Sequence, residues 1–327
     1  MDIITPGIYR LKLPLRDFVT SHVNVYLVKG NECLIVDTGW DNQESLEYLR
    51  RQLEEVGLVP EDIKHVVVTH GHTDHMSMAH RIQSQFHARL YMHKRDIEVV
   101  NSRSASGQDF VQQTDELLRR NGVPDSEFHG PYPALPEIAF VNADVMLEGG
   151  ETIALGNFNL KVLWTPGHSP GHICLYEPAH KLLLAGDLVM PTIAPNIGLH
   201  LQYSSNPLGD YLSSLDMVKK LDVELVLPAH EHPFRNLRER ADEIFQRHRR
   251  RDNEIISIMS DGKPRNAYQL AVTMTWLPDT ASEGWKNLDP WNKRLAVLET
   301  LAHLEFLRSG DKLDKSVSNG AVIYRAC

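Results

Sequence analysis

A chain of 327 residues with 42% apolar side chains has material for one large domain, or a large one and a small one, with an ordinary core. Its net charge of −9 repels polyanions over the molecule as a whole, so a nucleic-acid surface would have to be a local patch. Three scattered cysteines (Cys33, Cys174, Cys327) argue against a disulfide framework, no run of 18 apolar residues suggests a membrane span, and Met1 to Pro6 lack a leader's basic and apolar regions; a soluble cytoplasmic protein is expected.

Residues 8–13 and 23–28 alternate or run apolar as strands, and Lys29-Gly30-Asn31-Glu32 turns into a strand over 33–36, the start of a β-meander. That strand ends in Asp37-Thr38-Gly39. Leu46, Leu49, Leu53 and Val56 then recur at helical spacing until Gly57 stops the helix. The apolar run Val66-Val67-Val68 predicts a buried strand over 65–69 that delivers Thr69-His70-Gly71-His72-Thr73-Asp74-His75. Three imidazoles and a carboxylate within six residues at a strand end are a metal-site spacing. His70 and His72, two apart across a glycine, can face one ion; Asp74 and His75, opening a helix over 74–86, can face a second. A His-rich surface loop is the plain alternative. A strand over 88–92 follows, so the first half alternates β and α.

Residues 93–136 break the alternation. Helices around 94–101 and 108–121, punctuated by glycines and prolines, read as a lid-like insertion, with Phe110, Phe128 and Tyr132 lining a site or simply packing. Strands resume over 144–147, 152–155 and 160–164, the last running into Thr165-Pro166-Gly167-His168-Ser169-Pro170-Gly171-His172. The prolines and glycines fix a tight turn that presents His168 as a ligand. His172 reads as a hydrogen-bonding support, Cys174 as core, and Ser169 lacks the G-x-S-x-G surroundings of a nucleophile. The strand from Leu182 ends in Asp187, a carboxylate placed to bridge two cations. The strand from Leu225 ends in His230, the last candidate ligand, with His232 as an outer residue. Between them the loop 188–206, with Met190, Ile193, Ile197, Leu199, His200 and Tyr203, is expected to form an apolar pocket wall suited to an acyl substrate.

After Pro233 a helix runs to about residue 250 with Leu237, Ala241, Ile244 and Phe245 inward. Arginines 235, 238, 240, 247, 249, 250 and 251 form either an RNA or partner patch or, more plainly, a solvated face balanced by Glu231, Glu239, Asp242 and Glu243. Helices near 252–260, near 266–275 and from 290, then two strands meeting at Ser318-Asn319-Gly320, complete the chain.

The ordered set His-x-His-x-Asp-His, TPGHSPGH, strand-ending Gly-Asp and late strand-ending His resembles the metallo-β-lactamase superfamily over residues 8 to about 232, Asp37-Thr38-Gly39 included. The resemblance implies an α/β fold, the four-layer αβ/βα sandwich, with residues 1–240 as the catalytic domain and 93–136 as its insertion. It also implies that His70, His72 and His168 hold one metal, that Asp74, His75 and His230 hold the other, and that Asp187 bridges them. His75 and Asp187 resemble the glyoxalase II-like branch; classical zinc β-lactamases place a Cys among the second metal's ligands. The tyrosine that acyl-homoserine lactonases carry three residues past the bridging aspartate is Met190 here, and 188–206 holds none of the basic residues with which glyoxalase II binds glutathione. Residues 245–327 resemble the small α+β winged-helix tail of a branch that includes acyl-thioester hydrolases and an endoribonuclease. Its third helix mixes Lys293, Arg294 and Arg308 with Glu299 and Glu305, which favours dimerisation or pocket capping over DNA binding.

The expected activity is hydrolysis of a thioester or other activated acyl ester by a metal-bridging hydroxide, with Asp74 guiding a proton to the leaving group. Two divalent cations are expected, zinc ahead of iron or manganese. Single-stranded RNA cleavage, lactone hydrolysis and a non-catalytic sensor are the alternatives. The expected partners are a small-molecule acyl substrate and a second copy in a homodimer, with no membrane and nucleic acid not favoured.

Overall fold

The structure is a computed structural model that describes residues 1–15, 20–106, 108–128, 140–202, 204–276 and 284–327, without the side chains of 106, 108–110 and 128. Tyr132 and Tyr203 and the side chains of Phe110 and Phe128, expected to line a pocket, therefore lie outside what is described. The chain divides into two compact units: Met1–Ala105 with Pro136–Pro195 and Ser214–Ala241, and Ser106–Leu135 with Asn196–Ser213 and Asp242–Cys327.

Period-two apolar runs build the first unit's larger sheet. β1 (Asp2–Thr5), β2 (Ile8–Pro14), β3 (His22–Lys29) and β4 (Cys33–Val36) make an antiparallel meander. Helix α1 (Gln43–Glu54) leads to β5 (Ile63–Val68); α2 (Thr73–Met76) and α3 (Ala79–Phe86) lead to β6 (Arg89–His93). After α4 (Lys94–Ser106) and α5 (Gln108–Arg120), β7 (Val145–Leu147) completes a sheet ordered β1 to β7, parallel from β4 onward. The second sheet, ordered β12-β11-β10-β9-β8, contains β8 (Thr152–Leu155), β9 (Phe158–Trp164), β10 (Ile173–Glu177), β11 (Leu182–Gly186) and β12 (Leu225–Pro228); only β11 and β12 pair in parallel.

Alternation decides the layers. Val67 joins Tyr26, Val28, Leu34 and Val36 against Leu160, Val162, Leu175 and Leu184 of the other sheet, while Val66 and Val68 join Leu27 and Ile35 beneath Leu49 and Leu53 of α1 and Ile82 and Phe86 of α3. β10 and β11 are buried along their whole length, so both their faces are covered. This is the mixed α/β sandwich that the sequence predicts.

Two expectations about elements are corrected and one element was missed. The helix foreseen over 74–86 is broken, because the His75 carbonyl that residue 79 would bond instead accepts from Thr38 N and Thr38 Oγ1, both at 2.8 Å. The helices foreseen to 250 and over 252–260 are one, α7 (Leu237–Ile258), which follows α6 (Pro207–Lys219). No Pro or Gly interrupts α7, and Ile244, His248 and Ile255 extend one buried stripe. Helix α6 itself went unforeseen although its start is signposted: Asn206 Oδ1 accepts from Gly209 N, and Pro207 opens the first turn.

In the second unit, α8 (Ala267–Thr273) and α9 (Pro290–Ser309) pack Leu270, Ala271, Leu301, Leu304 and Leu307 with Leu118, Ile255 and Tyr324. β13 (Leu313–Ser318) and β14 (Ala321–Ala326) pair across Asn319 and Gly320, both at positive φ (49° and 79°), the type I′ turn that an Asn-Gly pair forms. Two of the seven arginines expected in a solvated face are structural. Arg240 donates to the carbonyls of Met190, Thr192 and Ile193, and Arg251 lies 4.2 Å over the Trp276 ring and 3.7 Å from Glu299. The Glu231 carboxylate accepts from Thr192 N and Ile193 N. Among the described residues no helix is long and apolar enough to cross a membrane.

Candidate metal centre

Strand ends from both sheets supply the site. β4 ends in Asp37, β5 in the His70 to His75 stretch, β9 in the turn carrying His168, β11 in Asp187 and β12 in His230. Within the first unit these ends bring His70, His72, Asp74, His75, His168, Asp187 and His230 together. Three overlapping groups form: His70, His72 and His168; His70, His75 and Asp187; Asp74, His75 and His230. In each, the donor atoms lie within 4.8 Å of one another.

The spacing is that of ligands around a cation. Two donors each about 2.0–2.1 Å from a tetrahedral ion stand roughly 3.3 Å apart. His70 Nε2 and His72 Nδ1 are 3.0 Å apart, His75 Nε2 and His230 Nε2 3.3 Å, and Asp74 Oδ2 lies 3.4 Å from the first of these and 3.3 Å from the second. Asp187 sits among imidazoles of both halves. Its Oδ2 is 3.5 Å from His168 Nε2, 3.6 Å from His75 Nε2 and 3.9 Å from His70 Nε2, whereas Oδ1 is 3.5 Å from His230 Nε2 and, although buried, takes no hydrogen bond. A buried carboxylate oxygen without a hydrogen bond is costly unless it meets a cation. Imidazole and carboxylate donors at these separations fit two divalent ions, and the donor set does not choose among zinc, iron and manganese.

The surroundings aim the lone pairs inward. Asp37, buried and at φ 63°, accepts from Thr69 N (2.8 Å) and Thr69 Oγ1, and its Oδ2 holds His75 Nδ1 at 3.0 Å, which leaves His75 Nε2 toward the cluster. Because the Thr69 hydroxyl donates to Asp37, its oxygen is free to accept from His70 Nδ1 at 3.1 Å, turning His70 Nε2 inward. His230 Nδ1 meets Thr20 Oγ1 at 3.2 Å. His172 is the support the sequence indicates: Nδ1 lies 2.8 Å from Thr165 Oγ1, and Nε2 accepts from Asp187 N at 3.0 Å. Asn24, Tyr26 and Arg10 grip the carbonyls of Pro228 and Glu231 and so hold the strand end that carries His230.

Electrostatics separates the two halves. Burial, reinforced by neighbouring imidazoles, pushes His70 and His72 well below the usual imidazole range, and burial drives His172 down to about 3. These rings stay neutral with lone pairs available. Burial also opposes charge on His75, but Asp74, Asp187 and Asp37 outweigh it and raise its affinity for a proton; Asp187 and, with less effect, Asp74 do the same for His230. Burial raises the Asp74 and Asp187 carboxyls, and the histidines facing them more than reverse it, so both carboxylates ionise readily. In the acid-rich half, protons and cations compete for the same imidazole lone pairs.

Some expectations fail here. His232 is exposed and outside the cluster, because Glu231 at φ 66° reverses the chain after His230. In the loop after Asp187, Met190 and Ile197 are almost wholly buried, Leu199 packs onto the second unit's core, and Ile193 and His200 are half-buried. Asp96 was not foreseen. It opens α4 in a stretch without any metal-binding pattern, and its buried carboxylate accepts from Gly71 N, Gly171 N and Ser169 Oγ.

Comparison with known proteins agrees with this geometry. A family model for the metallo-beta-lactamase superfamily matches residues 19–230. The chain is 28% identical to the probable metallo-hydrolase YqjP of Bacillus subtilis across 98% of each chain. It is 29% identical to the human acyl-coenzyme A thioesterase MBLAC2 over 65% of this chain and 75% of that one. The solved metallo-beta-lactamase family protein TTHA1429 of Thermus thermophilus superposes with a TM-score of 0.81 at 27% identity, covering 99% of this chain and all of that chain. With its family match spanning the strand ends from Asp37 to His230, the chain belongs to the metallo-β-lactamase superfamily.

Proposed function

We propose that this protein is a binuclear metal-dependent hydrolase of the glyoxalase II-like type that cleaves a thioester or another activated acyl ester. The observation that carries the reading is Asp187, whose one carboxylate lies within 3.9 Å of His70 and His168 on one side and of His75 and His230 on the other. Two divalent cations, with Asp74 and Asp187 as the carboxylates, supply a net positive, water-activating centre suited to a developing oxyanion. The chain's own residues do the rest. His172 and the Thr165 hydroxyl fix Asp187, Asp37 fixes His75, and to Asp74, which faces His75 and His230, we assign the transfer of a proton to the leaving group. A covalent route has no support: the Cys174 thiol is pushed up to about 12 by burial and donates to Ala185 O, and the Ser169 hydroxyl donates to Asp96.

The relative named as an acyl-coenzyme A thioesterase favours an acyl thioester. An RNA-cleaving reading needs basic side chains free to meet phosphates. On α9, Lys293 pairs with Glu127 at 3.0 Å, Arg294 with Asp115 at 2.6 Å and Arg308 with Glu305 at 2.7 Å, which engages these cations within the chain and weighs against a phosphate-binding face on this helix. The test is thiol release from a panel of acyl-coenzyme A and glutathione thioesters by metal-loaded protein beside His72→Ala. Turnover by the native protein that falls at least a hundredfold in the variant is expected. Absence of release from every thioester, with cleavage of lactones or single-stranded RNA instead, would overturn the thioester assignment.

A further inference from the structure

Among the described residues Asp96 forms no hydrogen bond or ion pair with the imidazoles or carboxylates of the cluster, yet it holds the backbone of two loops that carry them. Its Oδ2 accepts from Gly71 N at 2.7 Å, between His70 and His72, and from Ser169 Oγ at 2.6 Å, next to His168; its Oδ1 accepts from Gly171 N at 2.6 Å. One carboxylate thus ties the turn after β5 to the turn after β9. Both turns are cut to fit it. A Cβ on Gly171 would come within 2.6 Å of the Asp96 backbone nitrogen and 2.9 Å of its Cβ and Cγ, and a Cβ on Gly71 would meet Val100 Cγ2 of the same helix at 2.9 Å. Ser169, which resembles a nucleophile only in isolation, acquires a role here as the third donor.

The loops that Asp96 joins carry His70, His72 and His168, one of the three donor groups. They do not carry His230, and Asp74 and His75 follow on α2, whose entry is held by Thr38 and Asp37. We infer that Asp96 is the positioning residue for the His70, His72 and His168 metal site alone, setting the distance between its two loops through their backbone N–H groups. This rests on the binuclear reading above.

In Asp96→Asn only one oxygen remains, so a buried amide N–H must face one of the three donors, and the loops separate. Losses of about 10–100-fold in metal affinity are typical when a group that orients ligands is removed. The expected result is a loss of that size at one site with the other unchanged. It is read by titrating metal-free protein with Zn2+ against a chromophoric chelator, by counting ions kept through gel filtration, and by the visible spectrum of the Co2+ form. The Asp96→Asn spectrum should match that of His72→Ala and differ from that of His230→Ala. Gly171→Ala should reproduce the defect from the opposite loop, and Ser169→Ala should weaken the same site several-fold. If either glycine or aspartate variant fails to fold, Ser169→Ala decides. Undiminished affinity at both sites, or equal losses at both, would overturn the inference. Failure of the native protein to take up two ions would instead sink the binuclear reading, independently of Asp96.

Discussion

Asp37→Asn tests whether the environment of the acid-rich half works as described. Asp37 Oδ2 holds His75 Nδ1–H at 3.0 Å, while Oδ1 accepts from Thr69 N at 2.8 Å. Asparagine tolerates the φ of 63° at this position, so backbone strain does not confuse the result. With its oxygen kept on Thr69 N, its amide donates to His75 Nδ1 and forces the proton onto Nε2, the atom 3.3 Å from His230 Nε2. A proton there blocks the lone pair a cation needs. The alternative rotamer keeps His75 but sets an amide N–H against Thr69 N–H, a buried mismatch of about 1–3 kcal/mol. Removing such an orienting partner costs roughly 10–100-fold in metal affinity, or about 1.4–2.7 kcal/mol. Metal titration of Asp37→Asn should therefore show the Asp74, His75 and His230 site weakened by that amount and the His70, His72 and His168 site nearly intact, the mirror image of Asp96→Asn. Wild-type affinity at both sites would refute the tautomer argument.

Two further outcomes concern stability. Burial raises the Glu305 carboxyl, but bonds from Lys315, Tyr324 and Arg308 outweigh it and hold its pKa below the ordinary 4.5. Its contribution is therefore fully present above that unfolded value and is lost as pH falls from there through the lower value of the folded state. Glu305→Gln should cost about 1–3 kcal/mol at neutral pH, toward the lower end because Lys315 and Arg308 are partly exposed, and denaturant titrations should show the gap narrowing as pH falls below the unfolded value of 4.5; a gap constant with pH would contradict this. Gly320→Ala isolates a conformational cost: a Cβ there meets nothing within 4 Å, yet φ is 79°. A loss of about 1–2 kcal/mol is expected by thermal unfolding, with no change in metal content; an unchanged melting temperature would show that the turn relaxes.

The sequence by itself determined the candidate ligand types, their order and the strand ends that carry them, because those signals are local. An apolar run stopping at a histidine or aspartate is readable within a few residues, as at Val68 before His70 or Leu184 before Asp187, and Asn319-Gly320 specifies its own turn. Only the tertiary structure decided how these ends are held. Thr38 taking the His75 carbonyl breaks a helix whose own sequence would continue it, Glu231 turns His232 away, and Asp96 joins loops about 25 and 75 residues distant from it in sequence. Such partners are chosen by long-range packing. A carboxylate in the first turn of α4 looks like any helix-starting acid until the fold sets two glycine turns against it.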